Sequence, residues 1–510
     1  MSQLSTLLGK SAEQFPENIA LIVDQRCYSY QQLNELTIRL AASLLKRGIS
    51  QGERVAFLLP NCIEIILCYY ACFLIGAIAV PVNIRFNNEL IHYVLEHSNA
   101  RIFITSPEYY NQLDAKILKV IKECYLTFKS DNYPGVQDFQ QLLSSATASP
   151  VNMEIGLKKN ALLFFTSGTT GLPKAVVHSH QSLYQGTRNQ ITQIKINHED
   201  KTLVMFPVCY LIGLGSQILP FHAVGATVVL LPEFHPENAL AKLQSHQITK
   251  IYGFPKLYLE LINHVESSDF KINTLNFCFS GGDATPVSLQ ERFKELFNIE
   301  ITEGCGMSEL QIYAMNPPYG AKKTGSIGFP IINMEMCLID DKNKTIVTPH
   351  KIGELIVRGK SMCSGYWQDT TLTAKTIKDG WFHTGDLAYQ DKEGYYWFVS
   401  RKVDIIRYNE ELISPIEIEN IFYQLDGVKE AAAIALPNTN KQNQDHIVVY
   451  VTFKTKASQL TPQTLMNFAH ASLPINKRPY QVIIMNQLPY GFTGKIDRNR
   501  LRVLAKNQMN

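Results

Sequence analysis

The sequence predicts an α/β protein. The expected architecture is a large N-terminal domain of layered, largely parallel α/β sheets with a β-rich subdomain, followed by a smaller α+β C-terminal domain. Three observations carry this. Short apolar runs rich in branched and aromatic residues alternate with amphipathic helical stretches over most of the chain, the pattern of parallel sheets with helical crossovers. Beyond Gly353 the pattern shifts to hairpin-like, aromatic-rich pieces. A chain of 510 residues also exceeds one ordinary hydrophobic core and divides naturally into two or three domains.

Taken in order, RVAFLLP, AIAVPVN, RIFITS, TLVMFPV and TVVLLP read as buried strands. PENALAKLQSHQ and PVSLQERFKELF read as helices; in the second, Leu289, Phe293, Leu296 and Phe297 recur at helical spacing. Residues 65–82 form an uncharged stretch of 18 residues, near the lower limit of a membrane span. Glu64 abuts it, Gly76 interrupts it and Pro81 ends it. It therefore reads as a buried helix stopped by Gly76 and followed by a core strand, because Gly is the usual residue just past a helix C-terminus. GELIVRG and GWFHTGDLAYQDKEGYYWFVSR follow, with a turn at Asp391-Lys392-Glu393-Gly394. The expected boundaries are residues 1–400 for the large domain, 401–404 for a hinge and 405–510 for the small domain.

Composition narrows the function. Hydrophobic residues make up 45% and charged residues 18%, with a formal net charge of +3. This is ordinary globular chemistry, with no basic surplus for a nucleic-acid or membrane-surface partner. The ten cysteines form no Cys-x-x-Cys pair and read as reduced thiols of a cytoplasmic protein. The first twenty residues show no secretory pattern.

The strongest motif is Thr166-Ser167-Gly168-Thr169-Thr170-Gly171-Leu172-Pro173-Lys174, directly after the apolar run ALLFF. Its glycines and hydroxyls suit a loop whose backbone N–H groups surround phosphate oxygens, with Lys174 adding charge. It lacks the terminal Gly-Lys-Ser/Thr of a P-loop. Ser280-Gly281-Gly282-Asp283-Ala284, Glu303-Gly304-Cys305-Gly306-Met307-Ser308-Glu309, Trp381-Phe382-His383-Thr384-Gly385-Asp386-Leu387 and Gly494-Lys495-Ile496-Asp497-Arg498 follow in that order. There is no Gly-x-Ser-x-Gly elbow and no His-Glu-x-x-His motif. His178 and His180 read as packing or surface residues.

This series resembles the adenylate-forming superfamily, which holds acyl-CoA synthetases, the adenylation domains of peptide synthetases and beetle luciferases. The resemblance spans roughly residues 10 to 500. It implies activation of a carboxylic acid by ATP as acyl-AMP, then transfer to a thiol. It further implies a phosphate-binding loop at 166–174, an adenine-binding turn at Gly281, Gly282 and Asp283, and Ser308 on phosphate. Glu309 would hold Mg²⁺, Asp386 would accept from both ribose hydroxyls, and Arg401 would touch ribose or phosphate. Lys495 would sit in a mobile C-terminal lid and stabilise the charge that develops at the α-phosphate. The acyl pocket would take Tyr210, Gly213, Cys305 and Gly306.

Several positions depart from the family pattern. Cys305 replaces the aromatic that stacks on adenine, Ser400 a glycine, and Val403 an Asp or Lys at the hinge. Asn409 and Glu410 replace two glycines of the loop lining the pantetheine tunnel. Tyr210 takes the place of a His, and the absence of a charge around it predicts an aliphatic or aromatic acid without a second charge. Three readings stand at this point: a CoA ligase, an enzyme loading an acyl or peptidyl carrier protein, and a catalytically weakened nucleotide-binding protein. The sequence sets no oligomeric state.

Overall fold

The computed structural model describes residues 3–128, 133–145, 151, 153–166, 172–265, 272–409, 411–438, 444–454, 460–491 and 495–509. The expected strands form two large mixed sheets. In the eight-stranded sheet, Arg54–Leu58, Ile78–Pro81 and Ile102–Thr105 are parallel neighbours, and Asn160–Thr166 joins them in parallel. Lys174–Ser179 then returns antiparallel, with Thr166 opposite Lys174. In the nine-stranded sheet, Thr227–Leu230, Lys201–Val204, Lys250–Gly253, Phe277–Ser280 and Ile301–Met307 run parallel. Ile301–Met307 is also the first arm of an antiparallel hairpin with Gln311–Met315.

Residues 65–82 fold as predicted. The helix Ile63–Ile75 is almost wholly buried and ends at Gly76 in the left-handed conformation, φ +70°. The strand Ile78–Pro81 follows. Among the described residues no helix is long and apolar enough to cross a membrane. One apolar cluster joins both sheets, carrying Phe57, Tyr69 and Phe73 together with Tyr252, Phe279 and Tyr313. All ten cysteines are free thiols.

The β-rich part is an antiparallel sheet of Met334–Ile339, Gly353–Gly359, Trp381–Gln390, Ile377–Lys378 and Tyr396–Arg401. After it comes the hairpin Ile406–Tyr408 with Glu411–Ile413. A three-stranded sheet of Val428–Pro437, Asp445–Phe453 and Gln481–Ile484 follows. Helices Pro415–Phe422, Pro462–Ser472 and Arg498–Met509 accompany it. This segment closes its own apolar clusters around Ile418, Phe422 and Val449, and around Tyr450 and Leu501, as a separate small domain requires.

Candidate functional site: a nucleotide and acyl site at the strand ends

The site is built where the nine-stranded sheet ends. The strand Phe277–Ser280 runs into Gly281 and Gly282. A Cβ on Gly281 would lie 2.8 Å from the Phe279 ring, and one on Gly282 would lie 2.7 Å from the Phe254 ring. Gly282 has φ +87°, so this turn requires glycine for space and for conformation. The carboxylate of Glu303 pins it from behind. Thr285 N donates to Oε1 at 3.1 Å, while Gln290 Nε2 and Gly325 N donate to Oε2 at 3.0 and 3.2 Å. Burial pushes the Glu303 carboxyl up to about 7, the three hydrogen bonds opposing it. The family motif did not single out Glu303; the one signal in the sequence is an acidic residue inside a strand that must be buried.

The hairpin of Ile301–Met307 and Gln311–Met315 carries the next group. A Cβ on Gly304 would lie 2.5 Å from the Ala314 carbonyl oxygen, and one on Gly306 would lie 2.9 Å from the Gln311 carbonyl oxygen. The glycines therefore let the two arms approach. Between them Cys305 accepts a hydrogen bond from Tyr313 Oη at 3.0 Å. Burial, with the Asp386 carboxylate adding to it, pushes this thiol up to about 11, so it is neutral at pH 7 and inert as a nucleophile.

Ser308 and Glu309 stand at the hairpin's turn. His178 donates from Nε2 to the Ser308 carbonyl at 2.7 Å, and its Nδ1 lies 3.1 Å from Ser182 Oγ. A carbonyl can only accept, so this contact sets the tautomer. Burial holds His178 at about 4, with the hydrogen bond to Ser308 opposing, so it is neutral at pH 7. The role of His178 as a strut under Ser308 was not legible in the sequence. Neither was that of Tyr366, whose hydroxyl donates to Glu309 Oε1 at 2.8 Å. Burial, with the Glu309 charge beside it, pushes the phenol far above its ordinary value. Lys174 Nζ lies 5.9 Å from the Tyr366 ring centroid, within cation–π range. The loop residues Ser167, Gly168, Thr169, Thr170 and Gly171 lie outside the described residues, as do Glu410 and Gly494; Thr166 and Lys174 bracket that loop as paired strand ends.

Asp386 and Arg401 are directly opposed on neighbouring antiparallel strands. Arg401 Nε lies 2.9 Å from Asp386 Oδ1 but is not aligned to donate, and this buried oxygen has no hydrogen-bond partner among the described residues. Burial raises the Asp386 carboxyl above its ordinary value, with Arg401 and Lys495 opposing.

Lys495 arrives from the small domain. Its Cε lies 3.8 Å from where a Gly282 Cβ would stand. Gly491 N donates to the Lys495 carbonyl at 2.8 Å, and Tyr490 bridges to Ile496. Arg498, three residues on, is ion-paired with the buried Glu419, which also accepts from Ala433 N at 2.8 Å. A cavity of about 350 Å³ lies between the domains and is lined by Gly282, Asp283, Ala284, Glu419, Lys495 and Arg498.

The segment 206–213, expected to bound the acyl group, folds around Asn61, another residue outside the sequence motifs. Its Nδ2 donates to the Phe206 and Leu231 carbonyls at 2.9 and 2.8 Å, and its Oδ1 accepts from Val208 N at 2.8 Å. Tyr210 is buried, and burial pushes its phenol up to about 12. A Cβ on Gly213 would lie 3.2 Å from Val208 Cα. Gly213 opens a π-helical turn, Gly213–Ile218, a geometry frequent at functional sites.

Magnesium chemistry fits this donor set. Among the described residues no three His, Cys, Asp or Glu side chains converge to hold a metal alone. Glu309 offers one hard carboxylate, oriented through Oε1 by Tyr366. A Mg²⁺ bound by one carboxylate completes its shell with phosphate oxygens and water.

Comparison with known proteins gives the same reading. The AMP-binding enzyme family matches residues 8–367, and the AMP-binding enzyme C-terminal domain matches residues 417–495. The long-chain-fatty-acid–CoA ligase of Bacillus subtilis is 28% identical, covering 98% of this chain and 94% of that one. The 3-hydroxybenzoate–CoA/4-hydroxybenzoate–CoA ligase of Thauera aromatica is 26% identical over 98% and 97%. The solved benzoate CoA ligase of Burkholderia xenovorans LB400 superposes with a TM-score of 0.88 at 25% identity, over 98% and 99% of the two chains. With both parts of the family matched in order and the charged groups of the motifs gathered at one strand-end site, the chain belongs to the AMP-binding enzyme family.

Proposed function

We infer that this chain is an AMP-forming carboxylic acid–CoA ligase. It activates an acid with ATP as acyl-AMP and then forms the CoA thioester, releasing pyrophosphate and AMP. The observation that supports this is the grouping of charged residues far apart in the chain: Asp386 lies beside Arg401 and within reach of the charges of Lys495 and Glu309, and Lys495 also reaches Gly282 of the glycine turn.

In the first half-reaction the acid's carboxylate attacks the α-phosphate of ATP in line and pyrophosphate leaves. Gly281, Gly282 and Asp283 seat the adenine against bare backbone. Asp386 accepts from the ribose hydroxyls, and Arg401 reaches ribose or phosphate. Lys495 meets the carboxylate and the α-phosphate, offsetting the charge that gathers in the transition state. The loop 166–171 with Lys174, and Ser308, hold the departing phosphates. Glu309 would hold Mg²⁺, which would supply charge neutralisation for the departing phosphates. Tyr210, Gly213, Cys305 and Gly306 bound the acyl group, an uncharged aliphatic or aromatic body.

In the second half-reaction the small domain turns about residues 401–404, Lys495 withdraws, and the CoA thiolate attacks the acyl-adenylate carbonyl. The proposed division is therefore residues 1–400, a hinge at 401–404, and residues 405–510. Val403 is exposed and Asp404 is held by Arg502 of the C-terminal helix, so the turn is strapped from one side. Free thiols throughout suit a cytoplasmic enzyme of fatty- or aryl-acid metabolism.

Acid-dependent AMP release, measured across a panel of carboxylic acids with and without CoA, tests this. Acceleration by CoA with appearance of an acyl-CoA is the expected result. Adenylate formation that CoA leaves unchanged would transfer the acceptor role to a carrier protein. No acid-dependent AMP or pyrophosphate–ATP exchange would remove the ligase reading.

A further inference from the structure

The turn that carries Lys495 is held at its base by a contact that crosses between the domains. Gly491 N donates to the Lys495 carbonyl at 2.8 Å, Asp497 N donates to the Pro489 carbonyl at 2.8 Å, and Tyr490 pairs with Ile496 across the same turn. Residues 489–491 and 495–497 therefore form a closed base, and any displacement of Tyr490 carries the Lys495 backbone with it. The Tyr490 ring meets the large domain, where Lys256 Nζ stands 4.7 Å from its centroid, within cation–π range. Its hydroxyl donates to Glu430 Oε1. Glu430 belongs to the small-domain strand Val428–Pro437, and its Oε2 accepts from Thr452 Oγ1 at 3.4 Å.

Helix stability does not account for a lysine at position 256. It lies in the first turn of the helix Pro255–Val265, where the helix dipole disfavours a cation. Its neighbour one turn on, Glu260, stands 3.9 Å away, with the lysine N-terminal to the glutamate, the weaker order for such a pair. The group that Lys256 does suit belongs to the small domain. Burial raises the Glu430 carboxyl above its ordinary value, with the charges of Lys429 and Lys256 opposing and that of Glu260 adding to it. A phenol that donates to a carboxylate is polarised by it, and its ring then draws an ammonium group more strongly. Lys256, Tyr490 and Glu430 line the same cavity between the domains as Gly282 and Lys495.

We propose that Tyr490 is a positioning residue for Lys495, clamped between Lys256 of the large domain and Glu430 of the small one, and that the Lys256–Tyr490 contact latches the lid with Lys495 at the glycine turn for adenylation. This rests on the ligase reading and its domain turn, and adds the contact that biases the turn toward the first half-reaction. Tyr490 and Glu430 travel together in the small domain. Their bond therefore persists through the turn, whereas the contact with Lys256 is lost when the small domain swings away. The latch acts on where Lys495 stands, so its loss weakens the half-reaction that needs Lys495 and spares the one from which Lys495 has withdrawn.

The test measures the two halves separately in the full chain: pyrophosphate–ATP exchange with an acid that supports it, and acyl-CoA formation from the corresponding acyl-adenylate supplied directly. The Lys256 side chain is 47% exposed, so Lys256→Met is expected to fold with an unchanged Tm. Exchange should fall by about three- to tenfold, the size of a half-exposed cation–π contact, while thiolysis holds or rises. Lys256→Arg should restore exchange, because a guanidinium also stacks on an aromatic face. Added to Tyr490→Leu, Lys256→Met should cost nothing further, since the ring it acts through is gone. Unchanged exchange in Lys256→Met, an equal fall in both halves, or a loss that Lys256→Arg leaves in place overturns the inference and leaves the ligase standing. Absence of exchange in the unsubstituted enzyme with every acid strikes the ligase reading, and this inference with it.

Discussion

Tyr366→Phe isolates one hydrogen bond. The substitution keeps the ring, and with it the approach of Lys174 at 5.9 Å. It removes the donor held 2.8 Å from Glu309 Oε1. A hydrogen bond to a charged group is worth about 1.5–3 kcal/mol, and Glu309 is only 9% exposed, so water replaces the donor poorly. Part of the loss returns, because the freed lone pair becomes available to a cation. What does not return is orientation: the carboxylate regains rotation that must be frozen when metal binds. Loss of such an outer partner lowers metal affinity or activity by about 10- to 100-fold. The expected result is a rise of at least about tenfold in the Mg²⁺ concentration that half-saturates pyrophosphate–ATP exchange. Calorimetric binding of a non-hydrolysable ATP analogue should show the same shift with Mg²⁺ present and little change without it. Equal Mg²⁺ dependence in the two proteins would refute the view that Tyr366 sets the Glu309 carboxylate for a metal.

The remaining predictions concern the lid, the turn and the buried histidines. Lys495→Ala is expected to abolish adenylate formation while sparing thiolysis of supplied acyl-adenylate, measured by acyl-CoA production; equal loss of both halves would contradict domain alternation. Gly282→Ala places a methyl 2.7 Å from the Phe254 ring at φ +87°. Strain on the order of 1–3 kcal/mol should appear as a raised KM for ATP and a lowered Tm, and an unchanged KM would show that the turn does not meet the base. His178 and His222 are buried and each held at about 4, below the ordinary 6.5. The unfolded chain therefore binds the extra protons first as pH falls. Stability from these groups is complete above about 6.5 and is lost between 6.5 and 4, on the order of 3 kcal/mol per histidine. Denaturant unfolding at pH 7 and pH 5 checks this, and His178→Gln should flatten the slope.

The fold was legible wherever local pattern and burial agree. Residues 65–82 are the instructive case: Gly76 takes the left-handed conformation that ends the helix, so an uncharged stretch long enough to raise a membrane question resolves into a helix and a strand. The motif residues were legible because their chemistry is unusual for loops. Their supports were not. His178, Tyr366, Asn61 and Glu303 act through contacts 130, 57, 145 and 18 positions away in the chain, and nothing local marks a buried histidine as a strut or a tyrosine as a carboxylate anchor.

The departures from the family pattern bear on whether catalysis survives, and Cys305, Asn409 and Ser400 each have a local accommodation. Cys305 is smaller than the aromatic it replaces, and Tyr313 closes on its sulfur from the neighbouring strand at 3.0 Å, so the wall stays packed. Asn409 adopts φ +56°, the region where asparagine substitutes best for glycine, and its Oδ1 accepts from Gln444 Nε2 at 2.8 Å. Ser400 pairs with Leu387 beside a register shift in the strand and has no positive φ that would call for glycine. Each of these three changes is absorbed by backbone geometry or by one neighbour, and the Asp386–Arg401 pair, the Tyr366–Glu309 bond and the approach of Lys495 to Gly282 stand beside them. A chain drifting toward a non-catalytic role would be under no constraint to keep these charged groups together, because buried and half-buried charges cost folding energy that only binding or chemistry offsets. These three substitutions therefore leave the described grouping of Glu309, Asp386, Arg401 and Lys495 in place.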